Sequence, residues 1–458
     1  MIKNEQVVGY LPDEHPQFWK LLLYAIQQVI VMFPATVAVA IITGFHISTT
    51  IFASGLATLC FILVTGRKIP LYYGSSFSYI AAIGSLMASE ALAGYALNDK
   101  IAIAQFGIVM SGFVSIAAGF IVNRFGQDTI EKILPASITG PIAMVIGLTL
   151  AGTALQDASS IAIDAAGTLA VPESRVSFAT NMAWIVSLVT MISTILFSVY
   201  LKGFAGQIPL LLGPIVGCIT AFIIKITTDV DLFKVLPETA NSGFFALPIF
   251  TLPKPSWMAV AAIMPVAIAT IPESTAHIYQ LDIYVNDLAD KKKAGKKYNI
   301  AELLGLNLIG DGIGDIVAGL IGGPAGTNYG ENISAMAITR VFSIPVLIAA
   351  SIIAMIISCF TPLINAIYSI PASVIGGMEI YLFGAIAAQG VAIMIEKKVD
   401  MFSARNIAVI ATIMVIGLGG QYAYGGNIPF FGIQVPCIAG AAIFGIIMNL
   451  ILNIGRKK

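Results

Sequence analysis

The sequence predicts an all-α polytopic membrane protein: fourteen transmembrane segments forming two inverted seven-span repeats, with short, broken segments at positions 3 and 10. Three observations predict it: the composition, the recurrence of long apolar stretches, and the placement of positive charge. Of the 458 residues, 58% are hydrophobic and 10% charged, and the mean hydropathy is +0.91. A soluble domain carries about 25% charged residues. So few charges cannot cover a soluble surface, which excludes a soluble enzyme, a nucleic-acid binder and a disordered scaffold. Twenty-four Lys and Arg balance twenty-four Asp and Glu, so no basic excess attracts nucleic acid.

A bilayer-spanning helix needs about 20 mostly apolar residues. Such segments run over 19–43, 47–65, 70–90, 101–122, 133–155, 180–201 and 207–226, then over 256–280, 300–320, 328–340, 343–365, 370–395, 405–420 and 433–455. The 328–340 segment is too short to span as a plain helix. Cytoplasmic loops collect Lys and Arg. With fourteen spans and the N-terminus inside, eighteen of the twenty-four basic residues fall on inside segments. Lys3, Arg67, Lys132, the run 291–297 and the tail Arg456-Lys457-Lys458 are among them. Thirteen spans would strand that tail outside. Both termini are therefore expected in the cytoplasm, with the chain in the cytoplasmic membrane. Residues 1–18 lack the basic-then-apolar order of a secretory leader. Cys60, Cys218, Cys359 and Cys437 sit in apolar stretches without metal or redox spacing and read as small buried hydrophobes. No cofactor or metal is expected.

Polar backbone at membrane depth belongs where the chain is buried in protein or lines a cavity. Two clusters qualify: Gly74-Ser75-Ser76-Phe77-Ser78-Tyr79 in the third segment, and Gly322 through Asn332 entering the tenth. They occupy matching places in the two halves, the sequence pattern of a transporter site built from broken helices. Seven spans per half is odd, so the halves run antiparallel.

Ionisable groups within spans cost on the order of 3 kcal/mol each on insertion scales, which disfavours an idle role. Glu273 and His277 stand four apart, on one helix face within pairing distance, where they could share a proton. For His277 the plainer alternative is a partner that only orients Glu273. Glu331 lies in the broken tenth segment beside Asn332. Asp311 and Asp315 read first as capping or packing groups in a Gly-rich ninth segment. Glu379 reads as a gate or coupling residue, or equally as packing. Gln27 and Gln28 are candidates for hydrogen bonds across helices.

Enzyme signatures such as HExxH, GxSxG and the P-loop are absent, and there are three His in all. The chain reads as no enzyme. Two carboxylates, exposed N–H groups in two Gly-rich breaks and the aromatic Phe77 suit a flat heterocycle with alternating N–H and C=O edges.

The stretch Asn328-Tyr329-Gly330-Glu331-Asn332, closing in Ala337-Ile338-Thr339-Arg340, resembles the signature of the nucleobase–ascorbate transporter family. Gly74-Ser75-Ser76-Phe77 and the Glu273…His277 pair resemble its uracil permease branch. The likeness runs in segment order over essentially the whole chain. It implies a core domain of spans 1–4 and 8–11 (19–130 and 256–366) and a gate domain of spans 5–7 and 12–14 (131–226 and 367–455), after a cytoplasmic tail at 1–18. It also implies short antiparallel strands in spans 3 and 10, proton-coupled uptake of uracil, and a homodimer through the gate. By the resemblance, Glu273 and Glu331 bond the base, the amides of Phe77 and Gly330 bond its carbonyls, and Ser76 and Tyr329 complete the contacts. His277 partners Glu273 in proton coupling, while Asn332, Thr339, Arg340 and Phe383 give support. The chain departs from the family pattern at Ser334, Gln28, Pro272 and Phe383. The rival readings are a xanthine, urate or guanine carrier of the same family, and an anion exchanger or channel on the same plan. An anion site would want a cation where this one offers carboxylates.

Overall fold

The computed structural model describes residues 9–126, 134–161, 171–203, 205–236, 243–431 and 433–453. Lys3, Lys132 and Arg456 to Lys458, used above for orientation, lie outside them. In chain order the helices are α1 Phe18–Thr43, α2 Ile47–Val64, α3 Ile80–Met87, α4 Leu97–Phe125, α5 Ala136–Thr149, α6 Ala151–Ser159, α7 Val176–Tyr200 and α8 Pro209–Thr228. There follow α9 Trp257–Ile263, α10 Ala267–Lys291, α11 Leu304–Ile321, α12 Gly330–Thr339, α13 Ile344–Ile357, α14 Thr361–Tyr368, α15 Ala372–Glu396, α16 Ala404–Tyr424 and α17 Cys437–Ile451. Four short strands, β1 Tyr73–Ser75, β2 Gly326–Asn328, β3 Asn427–Phe430 and β4 Ile433–Pro436, make two separate antiparallel pairs.

Ten helical stretches among the described residues are long and apolar enough to cross a bilayer, so the chain is a predominantly helical, multi-pass membrane protein. They coincide with ten of the apolar segments. The other four are not single long helices, for local reasons. Segment 70–90 is a strand, a 3-10 turn and the short α3; segment 328–340 contributes only the ten residues of α12. Segment 343–365 breaks at 358–360 ahead of Pro362, and segment 433–455 opens as strand β4, ending at Pro436.

The chain divides into two compact units. Unit 1 comprises Met1–Pro135 and Pro248–Ile357. Its centre is a glycine seam between α4 and α11. A Cβ on Gly112 would sit 2.5 Å from the Gly312 carbonyl oxygen, one on Gly312 2.3 Å from that of Gly112, and one on Gly119 2.5 Å from that of Gly305. Lipid is as apolar as Leu, so helices in a bilayer gain by backbone approach and close packing, which only small residues permit. Tyr79, Ile83, Leu86, Ile101, Ile108 and Ile263 pack as an apolar cluster beside the seam.

Residues 9–14, which composition marks only as a polar tail, form a strap on unit 1. Tyr10 exchanges backbone hydrogen bonds with the segment after α12, donating to Arg340 O (2.8 Å) and accepting from Phe342 N (2.8 Å). Lys292, just beyond α10, bonds Glu14 at 2.6 Å and Gly9 O at 2.9 Å; Lys296 pairs with Asp13 at 2.8 Å, and Tyr298 donates to Asp13. Lys296 and Tyr298 hold the Asp13 carboxyl below its usual range.

Unit 2 comprises Ala136–Leu247 and Ser358–Lys458. Gly140 of α5 meets Gly390 of α15 in the same backbone-to-backbone manner, and Gly213 and Gly217 of α8 receive the hydroxyls of Thr194 and Thr190 from α7. Ala179, Ala183, Val186, Ala221 and Val374 form its apolar centre. None of the four cysteines is in a disulfide.

Candidate functional site

In unit 1 the two Gly-rich breaks meet as strands. Tyr73 pairs with Asn328, Gly74 with Thr327 and Ser75 with Gly326. The ladder extends through Ser76 N to Ala325 O (3.0 Å) and Tyr329 N to Tyr72 O (2.9 Å). Glycine is required at 74, where a Cβ would lie 2.4 Å from the Tyr329 ring. That tyrosine's hydroxyl bonds Ser75 O (3.0 Å) and Thr36 Oγ1 (3.0 Å), closing the crossing from above.

Each strand runs directly into a helix start. Ser76 caps the first, its Oγ accepting from Ser78 N at 3.2 Å, with Phe77 as the opening residue. Tyr329 precedes Gly330, the first residue of α12. The opening amides of a helix lack carbonyl partners and carry its positive dipole end, so both starts present donors.

The acids stand beside these starts. Glu273, in α10, is half-buried and accepts from Ser78 Oγ at 3.4 Å. It lies within coulombic reach of Glu331, which occupies the first turn of α12 and is also half-buried. His277, one turn below Glu273, packs its ring on Gly330: a Cβ there would be 2.8 Å from Nε2. The ring hydrogen-bonds the Asn328 backbone, and its Nδ1 has no hydrogen-bond partner. The sequence reading paired His277 with Glu273; the bonds formed are His277 with the β2 backbone and Glu273 with Ser78. Phe77, Ser78, Glu273, His277, Gly330 and Glu331 are all half-buried, while Ser76 and Tyr329 are buried.

Asp311 and Asp315 are packing groups and not caps. They lie in mid-α11, buried, and hold the strand crossing. Asp315 Oδ1 accepts from Tyr73 OH (2.5 Å) and Gly326 N (2.8 Å), and its Oδ2 from Ser111 (3.4 Å). Asp311 accepts from Ser274 on α10 and from Asn328 Nδ2 (3.3 Å). Gly314 admits the Tyr73 ring, since a Cβ there would be 2.6 Å from it. The signal was present: two acids four apart in a glycine-rich span can face one neighbour.

Asn332 is buried and donates to Gln28 Oε1 (2.8 Å) and Gln28 O (3.0 Å), tying α12 to α1. Thr339 bonds back to Ala335 O within its own helix (2.8 Å), and Arg340 is exposed, ending α12 with a left-handed φ of 57°. Both therefore terminate the helix rather than join the acids. Phe383 belongs to unit 2, where it is 2% exposed.

Residues 19–424 match the profile described as the Permease family. A uracil permease of Bacillus caldolyticus is 34% identical over 452 residues, covering 97% of this chain and 95% of the relative. The putative pyrimidine permease RutG of Escherichia coli K12 is 32% identical, over 96% of this chain and 91% of the relative. Among solved structures, the transmembrane domain of a cyanobacterial bicarbonate transporter, BicA, superposes with a TM-score of 0.59 at 15% identity, covering 96% of this chain and 99% of that one. Murine Slc26a9, an anion transporter in its inward-facing state, gives 0.64 at 13% identity, over 96% of this chain and 69% of that one. These two share the fold. A match of this extent settles the family: the chain belongs to the Permease family, the nucleobase–ascorbate transporters.

Proposed function

We propose that this protein imports uracil with a proton across the cytoplasmic membrane, as a symporter working by alternating access. The observation that carries the reading is the placing of two carboxylates beside two helix starts joined through one strand pair. Glu273 and Glu331 accept from the ring N–H groups, the amides of Phe77 and Gly330 donate to the ring carbonyls, and Phe77 packs on the ring face. A site that bonds these edges rejects analogues lacking them, since its buried polar groups would be left unpaired. Ser76 and Tyr329 shape the backbone around the base.

Glu273 is the proton acceptor, with His277 beside it; uptake of a proton removes a charge from between two acids before the base moves. Residues 19–130 and 256–366 act as the core that carries the site, and 131–226 with 367–455 as the gate, where Phe383 lies. Fourteen spans in two inverted repeats, both termini in the cytoplasm, and a homodimer through the gate complete the proposal.

The RutG likeness favours a second reading, a broader pyrimidine carrier. Xanthine, urate or guanine uptake is the remaining alternative within the family. Radiolabelled uracil uptake into cells or proteoliposomes, with and without a protonophore, tests the proposal. Accumulation should collapse with the protonophore and with Glu273→Gln; accumulation that survives both would refute proton coupling. A thermal-shift screen against uracil, thymine, xanthine, guanine and simple anions decides the substrate class.

A further inference from the structure

Unit 2 buries an acid that the transport reading does not use. Glu379 lies in mid-α15, fully buried, and neither of its carboxyl oxygens receives a hydrogen bond from an N–H or O–H donor. An unpaired carboxylate in such a place is prohibitively costly. What stands within hydrogen-bonding reach is a second carboxyl, that of Asp157 near the end of α6. The approach is built into the helices. Gly376, one turn before Glu379 on the same face, lets the α6 backbone come close, since a Cβ there would lie 2.2 Å from Ala158 N and 2.6 Å from the Asp157 carbonyl carbon. Two carboxylates only repel, and a carboxyl can bond a carboxyl only when one of them is an acid.

The remaining charge has a partner. Lys234, in the segment after α8, is within coulombic reach of both acids and is positioned by its own amide, which donates to Ser369 O at 3.1 Å. The other elements packed on α15 add no charge at this point: α5 and α7 carry no Asp, Glu, Lys or Arg, and Lys225 of α8 is paired with Asp231 at 2.6 Å. On α15 itself Tyr381 is bonded to Ser198 at 2.6 Å. One proton, two carboxyls and one ammonium sum to zero charge; without the proton a net negative charge is left in the interior of unit 2.

We infer that Glu379 and Asp157 form a proton-binding site in unit 2, sharing one proton between them with Lys234 as counter-charge, separate from the acids of unit 1. The pair gives unit 2 a pH response of its own, whatever the substrate.

Infrared difference spectroscopy of the full-length protein, across a pH series and without substrate, tests it. The expected result is a protonated-carboxyl C=O stretch, shifted in deuterium oxide, that persists in Glu273→Gln and Glu331→Gln. Glu379→Gln and Asp157→Asn should each abolish that band. Lys234→Met should move its midpoint to higher pH. Should the Glu379 variant fail to assemble, Asp157→Asn reads the same proton from the partly exposed side. A band that survives both substitutions overturns the proposal. So does one lost on exchanging choline for sodium at constant ionic strength, which would make this a cation site. The unit 1 acids can fail as a transport site without affecting this band, so the two readings are separable.

Discussion

Replacing Gly330 by Ala adds one methyl group at the point where α12 begins, and its effect can be worked from the packing there. The new carbon would lie 2.8 Å from His277 Nε2, while ordinary contact begins near 3.4 Å, so one side must yield by about 0.6 Å. His277 is a rigid ring bonded to the Asn328 backbone, and Gly330 stands two residues after the last rung of the strand pair, so neither moves freely. Overpacking of this kind costs about 1–3 kcal/mol, offset by up to about 1 kcal/mol from the better helix propensity of Ala. A net cost of about 1–2 kcal/mol is roughly a 5- to 30-fold loss. That cost should be divided between a lower thermal midpoint in detergent (roughly 2–4 °C per kcal/mol) and weakened uracil binding. The control is a double-mutant cycle with His277→Ala, which removes the obstructing ring. If the contact is the cause, the two substitutions should couple by about 1–2 kcal/mol. An equal loss from Gly330→Ala with and without His277, or no loss at all, would refute the reasoning.

Tyr73→Phe removes one of the two hydrogen bonds to Asp315 Oδ1 and should destabilise the protein by about 1–3 kcal/mol, the cost of leaving a buried acceptor a partner short, read as a lower thermal midpoint. Gly312→Ala drives a methyl to 2.3 Å from the Gly112 carbonyl, where only backbone could give way; folded yield should fall sharply, while Gly419→Ala, which meets nothing within 4 Å, should express as the parent does. Glu331→Gln should weaken uracil binding several-fold in an equilibrium binding assay, because a charge-assisted bond is roughly twice a neutral one. The strap gives a pH prediction. Asp13 is held below the ordinary aspartate value of 3.8, so its contribution is complete above that pH and is lost as pH falls through the depressed value. Protection factors for hydrogen exchange at the amides of Tyr10 and Leu11 should hold from neutral pH to about 4 and fall below it, and Asp13→Asn should lower them at neutral pH.

Much of this architecture can be read from residue types because the bilayer punishes exceptions. Ten of the fourteen apolar segments are long helices, and the two Gly-rich interruptions are where the chain leaves the helix. Glu273 and Glu331 announced themselves by their cost. What could not be read is what depends on partners distant in sequence. Three-residue strands such as Tyr73–Ser75 are too short to show alternation, and they came from family resemblance alone. The i, i+4 rule placed His277 toward Glu273, but the ring packs on Gly330, a contact made from another helix. Asp157, Lys234 and Glu379 sit in three unrelated segments, and nothing local marks them as neighbours. The strap reads as tail because its apolar content is low and its hydrogen bonds are to backbone.

The ladder joining residues 73–75 to 326–328 has a consequence for how such a pocket can change its taste. The amides at Phe77 and Gly330 each follow two residues behind a fixed rung, so the gap between them is gauged by main-chain geometry, like the jaws of a caliper locked at one setting. Exchanging side chains cannot widen that gap. If the proposed site is right, a descendant that came to prefer a larger ring would have to do so by trimming Phe77 or shortening an acid, leaving the two amides where they stand.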